Sequence, residues 1–204
     1  MEAVTRHGRN RGRTLPKWWV AANGWDFWSE YDAGLWEPET REHIHTNVTP
    51  GSTYVDIGAW IGATVLWAAE RNPARIIAIE PDPISASHLA HNTAHLSNVE
   101  IVGAAITGST GTAKLSPHWE GFGSSMTKVN APDGQKWRLD DEIEVPAWTL
   151  PDLFAEYNID NVSLVKMDIE GGEAEVLPGQ AGWLAEQRIP LLFSLHPDWM
   201  SVPF

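Results

Sequence analysis

The sequence predicts an α/β fold built on a mostly parallel sheet with helices on both faces. Three observations predict it. From residue 53 onward, short β-branched runs alternate with stretches of helical length, glycines stand at the first strand-to-helix turn, and acidic residues close two of the strands. Strand, helix, strand in succession requires parallel pairing, because each crossover must lie over one face of the sheet.

The elements follow in order. "TYVDIG" reads as a strand, "GATVLWAAERN" as a helix, "RIIAIE" as a second strand and "DPISASHLAHNTAHL" as a helix. "NVEIVGAAI" is expected to be the third strand, and a loop-rich middle follows. "IEVPAWTLPDLFAEYN" gives an extended piece and then a helix, "VSLVKMDIE" a fourth, buried strand, "GEAEVLPGQAGWLAEQ" a helix and "IPLLFSL" a fifth strand. In such sheets the ligand sits outside the carboxyl ends of the strands, where strand order reverses.

At 204 residues the chain suits one domain with a sizeable core. Three stretches are expected: a basic, solvated and disordered arm over 1–17, a tryptophan-rich cover over 18–50, and the ligand-binding domain over 51–204. The composition, 43% hydrophobic and 20% charged, is that of a soluble globular protein. The longest nearly apolar stretch, "WIGATVLWAA", is too short to span a bilayer, and the N-terminus lacks the apolar core of a secretory signal. A cytoplasmic location is therefore expected. Zero cysteines exclude disulfides, thiolate metal sites and cysteine nucleophiles.

Net charge is −13, and residues 1–17 hold five Lys/Arg against one Glu. The rest carries nine cations against 26 acids, a net −17 that repels a polyanion and disfavours nucleic acid as a partner. Twelve tryptophans are many for this length, and Trp18, Trp19, Trp25, Trp28 and Trp36 crowd one segment. That segment either packs as a hydrophobic cover, the preferred reading, or lends rings to a stacking platform for a ligand such as a sugar.

Three motifs carry chemistry. In "VDIGAWIGATVL" Gly58 and Gly62 flank the first turn, so backbone can approach a ligand and the helix N-terminus can face a carboxylate or phosphate. The middle glycine of a dinucleotide motif is absent and Trp60 stands there. In "IAIEPDP" Glu80 ends the second strand, 24 positions beyond Asp56, where an acid grips a ribose diol. Together these two motifs argue for an adenosine-containing ligand without a diphosphate. The third, "LVKMDIEGGEAEVL", collects Asp168 and Glu170 where the fourth strand ends, while Glu173 and Glu175 complement the dipole of the helix that follows.

"VDIGAWIG", "AIEPDP", "GSSM" and "LVKMDIEGGEAEVLPG" resemble, in that order, the FkbM-type S-adenosylmethionine-dependent methyltransferases, a family with the Rossmann-like class I methyltransferase fold. The likeness extends over most of residues 36–196, with "WEPET" as a lead-in and "LLFSLH" as the last strand. Known members act largely as O-methyltransferases on sugar hydroxyls and natural products, so the resemblance implies S-adenosyl-L-methionine as cofactor and a small-molecule hydroxyl, such as a saccharide's, as acceptor. It further implies that Asp56, Gly58, Ala59 and Gly62, with Trp60 in place of the Asn often found there, hold the methionine part of the cofactor. Glu80, with Pro81 beside it, would hold the ribose, and Ala104 and Ala105 would border the adenine.

Methyl transfer needs an oxygen aimed in line with the sulfonium methyl and a base to take its proton. Candidates are Asp168, Glu170 and His196, the last just beyond the fifth strand. The same three could gather Mg2+ or Mn2+, which would orient the acceptor and lower its pKa. "SPHWEGFGSSM" brings His118, Trp119, Ser124 and Ser125 as candidate acceptor contacts, although its glycines also fit an ordinary loop. The alternatives are a cofactor-binding protein without transfer activity, a nucleic-acid methyltransferase, which would want an aromatic clamp where "DIEG" stands, and more distantly a nucleotide-dependent oxidoreductase. The C-terminal strands usual in class I methyltransferases are expected to be missing, with a homo-oligomer or the tryptophan-rich segment covering the edge left exposed.

Overall fold

The structure, a computed structural model, describes residues 12–16, 27–131 and 137–196. Two helices lead in, α1 (Phe27–Ala33) and α2 (Pro38–Asn47). The alternation then runs β1 (Thr53–Ile57), α3 (Ala63–Ala69), β2 (Arg75–Ile79), α4 (Pro83–Thr93) and β3 (Val99–Val102). After the short strands β4 (Ala105–Ile106), β5 (Gly111–Ser116) and β6 (Lys128–Val129) come β7 (Ile143–Trp148), α5 (Leu150–Glu156), β8 (Val162–Met167), α6 (Glu173–Gln187) and β9 (Leu191–Phe193).

Five strands form a parallel sheet in the order β3-β2-β1-β8-β9, so strand order reverses between β1 and β8. β1 is buried along its whole length, as a strand covered on both faces must be. Side chains alternate between two cores. Tyr54, Ile76, Ala78 and Leu164 face a cluster with α1 to α4, whereas Val55, Ile57, Ile77, Ile79, Val165 and Met167 face one with α5 and α6. The chain is thus an α/β protein with a parallel sheet and helices on both faces, the class I methyltransferase architecture that its sequence predicts.

Phe27, Trp28, Tyr31 and Trp36 pack on Trp67 of α3, with Tyr31 stacked on it at 4.9 Å and 7°. Trp28 and Trp67 are fully buried, so these rings are core. Trp18, Trp19 and Trp25 lie outside the described residues. Residues 13–16, expected in a solvated arm, are instead buried: the Thr14 N–H donates to Asn92 Oδ1 at 2.6 Å, and Arg13 pairs with Asp32 at 2.7 Å while lying over Trp28. Tertiary partners on α1 and α4, invisible in the local composition, hold them there. Residues 1–11 lie outside the described residues.

The middle of the chain departs from expectation. "NVEIVGAAI" is not one strand, because the backbone turns at Gly103 and hands Ala105–Ile106 to a second sheet, order β4-β7-β5-β6. Its pairings span long separations, such as Ala113 with Val145 and Leu115 with Val129, which no local pattern reveals. At the other end β9 pairs with β8 alone among the described residues, and Phe193 and Leu195 are about half exposed beside it. No helix among the described residues is long and apolar enough to cross a membrane.

Candidate functional site

The carboxyl ends of β1, β2 and β8 face the second sheet across a narrow cleft. Its inner end is apolar, lined by Ile79, Ala104, Ala105, Ile106, Val129 and Val176. At its lip stands Glu80. Both Glu80 oxygens accept backbone N–H groups, Oε2 from Trp60 at 2.8 Å and Oε1 from Asp82 at 2.9 Å. Burial, then the neighbouring Asp82, pushes its carboxyl up to about 8. In the ionised form each oxygen retains a lone pair, so a ribose diol can donate one hydroxyl to each and in doing so favours loss of the proton. The residues present therefore fit an adenosine: an apolar slot for the base and a carboxylate for the sugar.

The turn after β1 shapes the next part. Gly58 has φ +78, and a Cβ there would lie 1.9 Å from the Asp168 carbonyl oxygen. Its freedom is needed because β8 ends directly against the turn, at least as much as for any ligand. Gly62 is also left-handed, at φ +92, where a side chain would strike Leu89. Gly62 and Asp56 line neither cleft described here, whereas Gly58 and Ala59 do. Asp56 is fully buried beneath the turn, accepting from Thr64 Oγ1 at 2.5 Å and lying 3.5 Å from Lys166 Nζ.

Lys166 is the residue that the sequence motifs passed over. It is the register partner of Asp56 across β1 and β8, which puts both side chains on one face. Its ammonium donates to the Gly58 carbonyl at 3.3 Å and reaches Asp168 Oδ2 at 3.7 Å. Burial works against that charge, but Asp56, Asp168 and Glu37 outweigh it and hold the lysine above its ordinary value. The signal was there: a lone lysine inside the apolar strand "VSLVKMDI" has to find carboxylates.

A second cleft, of about 220 Å3, opens on the side of α2. It shares Gly58, Trp60, Ser125, Asp168 and Glu170 with the first, and adds Trp36, Glu37, Lys166 and His196. His196 Nε2 lies 3.5 Å from Asp168 Oδ1 and 3.4 Å from Glu170 Oε2, so the three candidate catalytic residues do converge. Burial, then Asp168 and Glu173, pushes the Glu170 carboxyl up to about 9. Glu173, expected to serve only the helix dipole, also ties the turn by accepting from Ile169 N and Gly171 N. Asp168, Glu173 and His196 bring one ligand atom each within 4.8 Å of one another. The three make a donor set of the type that holds Mg2+ or Mn2+, with Glu173 in the place expected of Glu170.

The loop between β5 and β6 roofs the first cleft. Ser124 and Ser125 line it, whereas His118 and Trp119 line neither cleft: His118 is buried with its Nδ1 3.7 Å from Glu120, and Trp119 is 63% exposed. Asp82 fastens that roof. Its Oδ1 caps α4 through Ile84 N and Ser85 N, and its Oδ2 accepts from Gly123 N and Thr127 Oγ1. Trp60 Nε1 donates to the Gly123 carbonyl at 3.1 Å, so the indole standing in place of a glycine closes the wall between the clefts.

A parallel sheet whose order reverses, a glycine turn after β1 and an acid after β2 make a Rossmann-like nucleoside-binding fold, and the family match makes it an S-adenosylmethionine-dependent methyltransferase. More particularly, the chain belongs to the FkbM methyltransferase family, whose domain matches residues 56–200. It is similar to the 2-O-methyltransferase NoeI of Sinorhizobium fredii (strain NBRC 101917 / NGR234), 25% identical over 174 residues, 78% of this chain and 72% of that protein. Among solved structures it is similar to the SAM-dependent methyltransferase from Agrobacterium tumefaciens, with TM-score 0.42 and 8% identity over 82% of this chain and 44% of that one. It is also similar to M. jannaschii TYW2 in complex with AdoMet, with TM-score 0.33 and 21% identity over 48% of each chain. This chain spans about half or less of those two structures, and the fold assignment rests on its own topology.

Proposed function

We propose that this protein transfers the methyl group of S-adenosylmethionine to a hydroxyl oxygen of a small acceptor, a sugar or glycosylated metabolite. The observation that carries the reading is the shared wall: the adenosine-type cleft and the second cleft meet at Gly58, Trp60, Ser125, Asp168 and Glu170. The name of the 2-O-methyltransferase relative supports oxygen as the methylated atom.

When bound, S-adenosylmethionine supplies an electrophilic methyl on a sulfonium. Glu80 would hold its ribose, Ala104 and Ala105 its base, and the Gly58–Ala59 backbone its amino-acid end. What remains for the chain is to aim the acceptor and move one proton. In this reading His196 Nε2 takes the hydroxyl proton, and Asp168 at 3.5 Å stabilises the imidazolium. Glu170, protonated at neutral pH, donates a hydrogen bond rather than acting as base. Lys166 keeps Asp168 in place.

The test is calorimetric titration with S-adenosylmethionine of the intact chain and of Glu80→Ala, with NAD as control. Transfer to hydroxylated acceptors is then followed with and without a chelator. Saturable binding that Glu80→Ala loses, and transfer that His196→Asn slows about 100-fold or more with cofactor affinity unchanged, are the expected outcomes. A chelator that abolishes transfer would reassign Asp168 and His196, with Glu173, to a divalent cation. No binding by the intact chain would overturn the reading.

A further inference from the structure

The second cleft is completed by Trp36 and Glu37, which open the "WEPET" lead-in ahead of the matched domain. We infer that these two residues set acceptor specificity, and that the cleft they complete selects a neutral, hydroxyl-rich ring over an anionic one. The inference rests on reading the second cleft as the acceptor side.

The backbone at Glu37 argues first. Glu37 is the N-cap of α2 but sits at φ 40, ψ 58, a left-handed conformation that glutamate rarely adopts. Its side chain caps no backbone N–H and bonds instead to the Thr40 side chain in the first turn. Glu37 also lines the cleft, where burial raises its carboxyl while the Lys166 ammonium pulls it back down. The strained turn thus serves to present an acid across from the reacting residues.

The walls argue second. Trp36 and Trp60 are buttressed by the same ring, Phe27, edge-on at 5.1 Å and 5.2 Å, and Trp60 is fixed at its far end by the Gly123 carbonyl. Two indoles held this way offer rigid apolar faces to the C–H face of a pyranose. Glu37 and Asp168 supply acceptors for hydroxyl hydrogens and protonated Glu170 a donor, while the basic side chains lining this cleft are already engaged, Lys166 by Asp56 and Asp168 and His196 by Asp168 and Glu170. A uronate or phosphate brought here would face Asp168 and Glu37, and among the described residues lining the cleft each basic side chain already has a carboxylate partner.

The experiment uses the full chain with S-adenosylmethionine and reads release of S-adenosylhomocysteine. The probes are the methyl glycosides of glucose, galactose, mannose and fucose, set against methyl glucuronide and glucose 6-phosphate. Turnover of a neutral glycoside at least tenfold better than of either anion is expected. Trp36→Ala and Glu37→Ala should lower kcat/KM for that glycoside at least tenfold, mainly through KM, with cofactor affinity within twofold of wild type. Glu37→Gln keeps the volume, guards against a folding artefact and should narrow the discrimination against the glucuronide. The inference is overturned if an anionic probe is turned over as well as the neutral ones, if no glycoside is turned over by a chain that binds cofactor, or if the variants keep wild-type kcat/KM. Failure of the wild-type chain to bind S-adenosylmethionine would instead remove the methyltransferase reading beneath it.

Discussion

Glu80 is buried with both oxygens already accepting backbone N–H groups, yet its carboxyl is pushed up to about 8 from an ordinary 4.5. Between those two pH values the folded, ligand-free protein holds a proton that the unfolded chain has lost. Its contribution to stability is therefore greatest below pH 4.5 and declines as pH rises toward 8. The melting temperature of ligand-free Glu80→Gln should fall less across this window than that of wild type; equal slopes would mean that Glu80 is not so perturbed. Lys166 gives the second prediction at this scale. Lys166→Met strands Asp56 in the core with the Thr64 and Tyr54 hydroxyls but no cation, and should cost about 3–5 kcal/mol in urea unfolding. Adding Asp56→Asn should recover a large part of that loss, whereas additive losses would deny the pairing.

Elements are positioned by single side chains that act at two places at once. Asp82 caps α4 with one oxygen and holds the roof loop with the other, so its removal should exceed the cost of a lost cap. Asp82→Ala is expected to destabilise by about 2 kcal/mol or more, to speed amide exchange at Gly123 and to weaken cofactor binding. Thr149→Ala, which removes the cap of α5, is the control: about 1 kcal/mol lost and cofactor binding kept. If the two variants behave alike, Asp82 is only a cap. The strands β1, β2 and β8 and helices α3, α4 and α6 were legible because apolar period and flanking glycines or acids agree there. β4 to β7 were less so. Their strands are short, one is split from β3 by Gly103, and their partners lie tens of residues away.

The whole molecule places its clefts between two sheets and the α2 side, so a ligand there adds to the bonds that already join these parts, such as Lys128 to the Glu170 carbonyl and Trp60 to the Gly123 carbonyl. S-adenosylmethionine at about 100 times its Kd should raise stability by about 2.7 kcal/mol. Hydrogen exchange should show the gain at both walls, in β6 with its Lys128 bond to the Glu170 carbonyl and in residues 168–172, rather than in β2. Protection confined to the parallel sheet would place the ligand elsewhere.

The sequence by itself determined the parallel sheet, its carboxyl-end cleft and the family, because strand alternation, a glycine turn and an acid at a strand end are local and ordered along the chain. It also brought Asp168, Glu170 and His196 forward as candidates. Only the tertiary structure decided which candidates share a wall, since the distance of His196 from Asp168 depends on β9 lying beside β8. Likewise it decided that residues 13–16 are buried, that Asp56 serves Lys166 beneath the turn, and that Glu37 faces the cleft. Each of these depends on contacts between segments distant in sequence, and pattern within one segment carries no information about which distant segment will meet it.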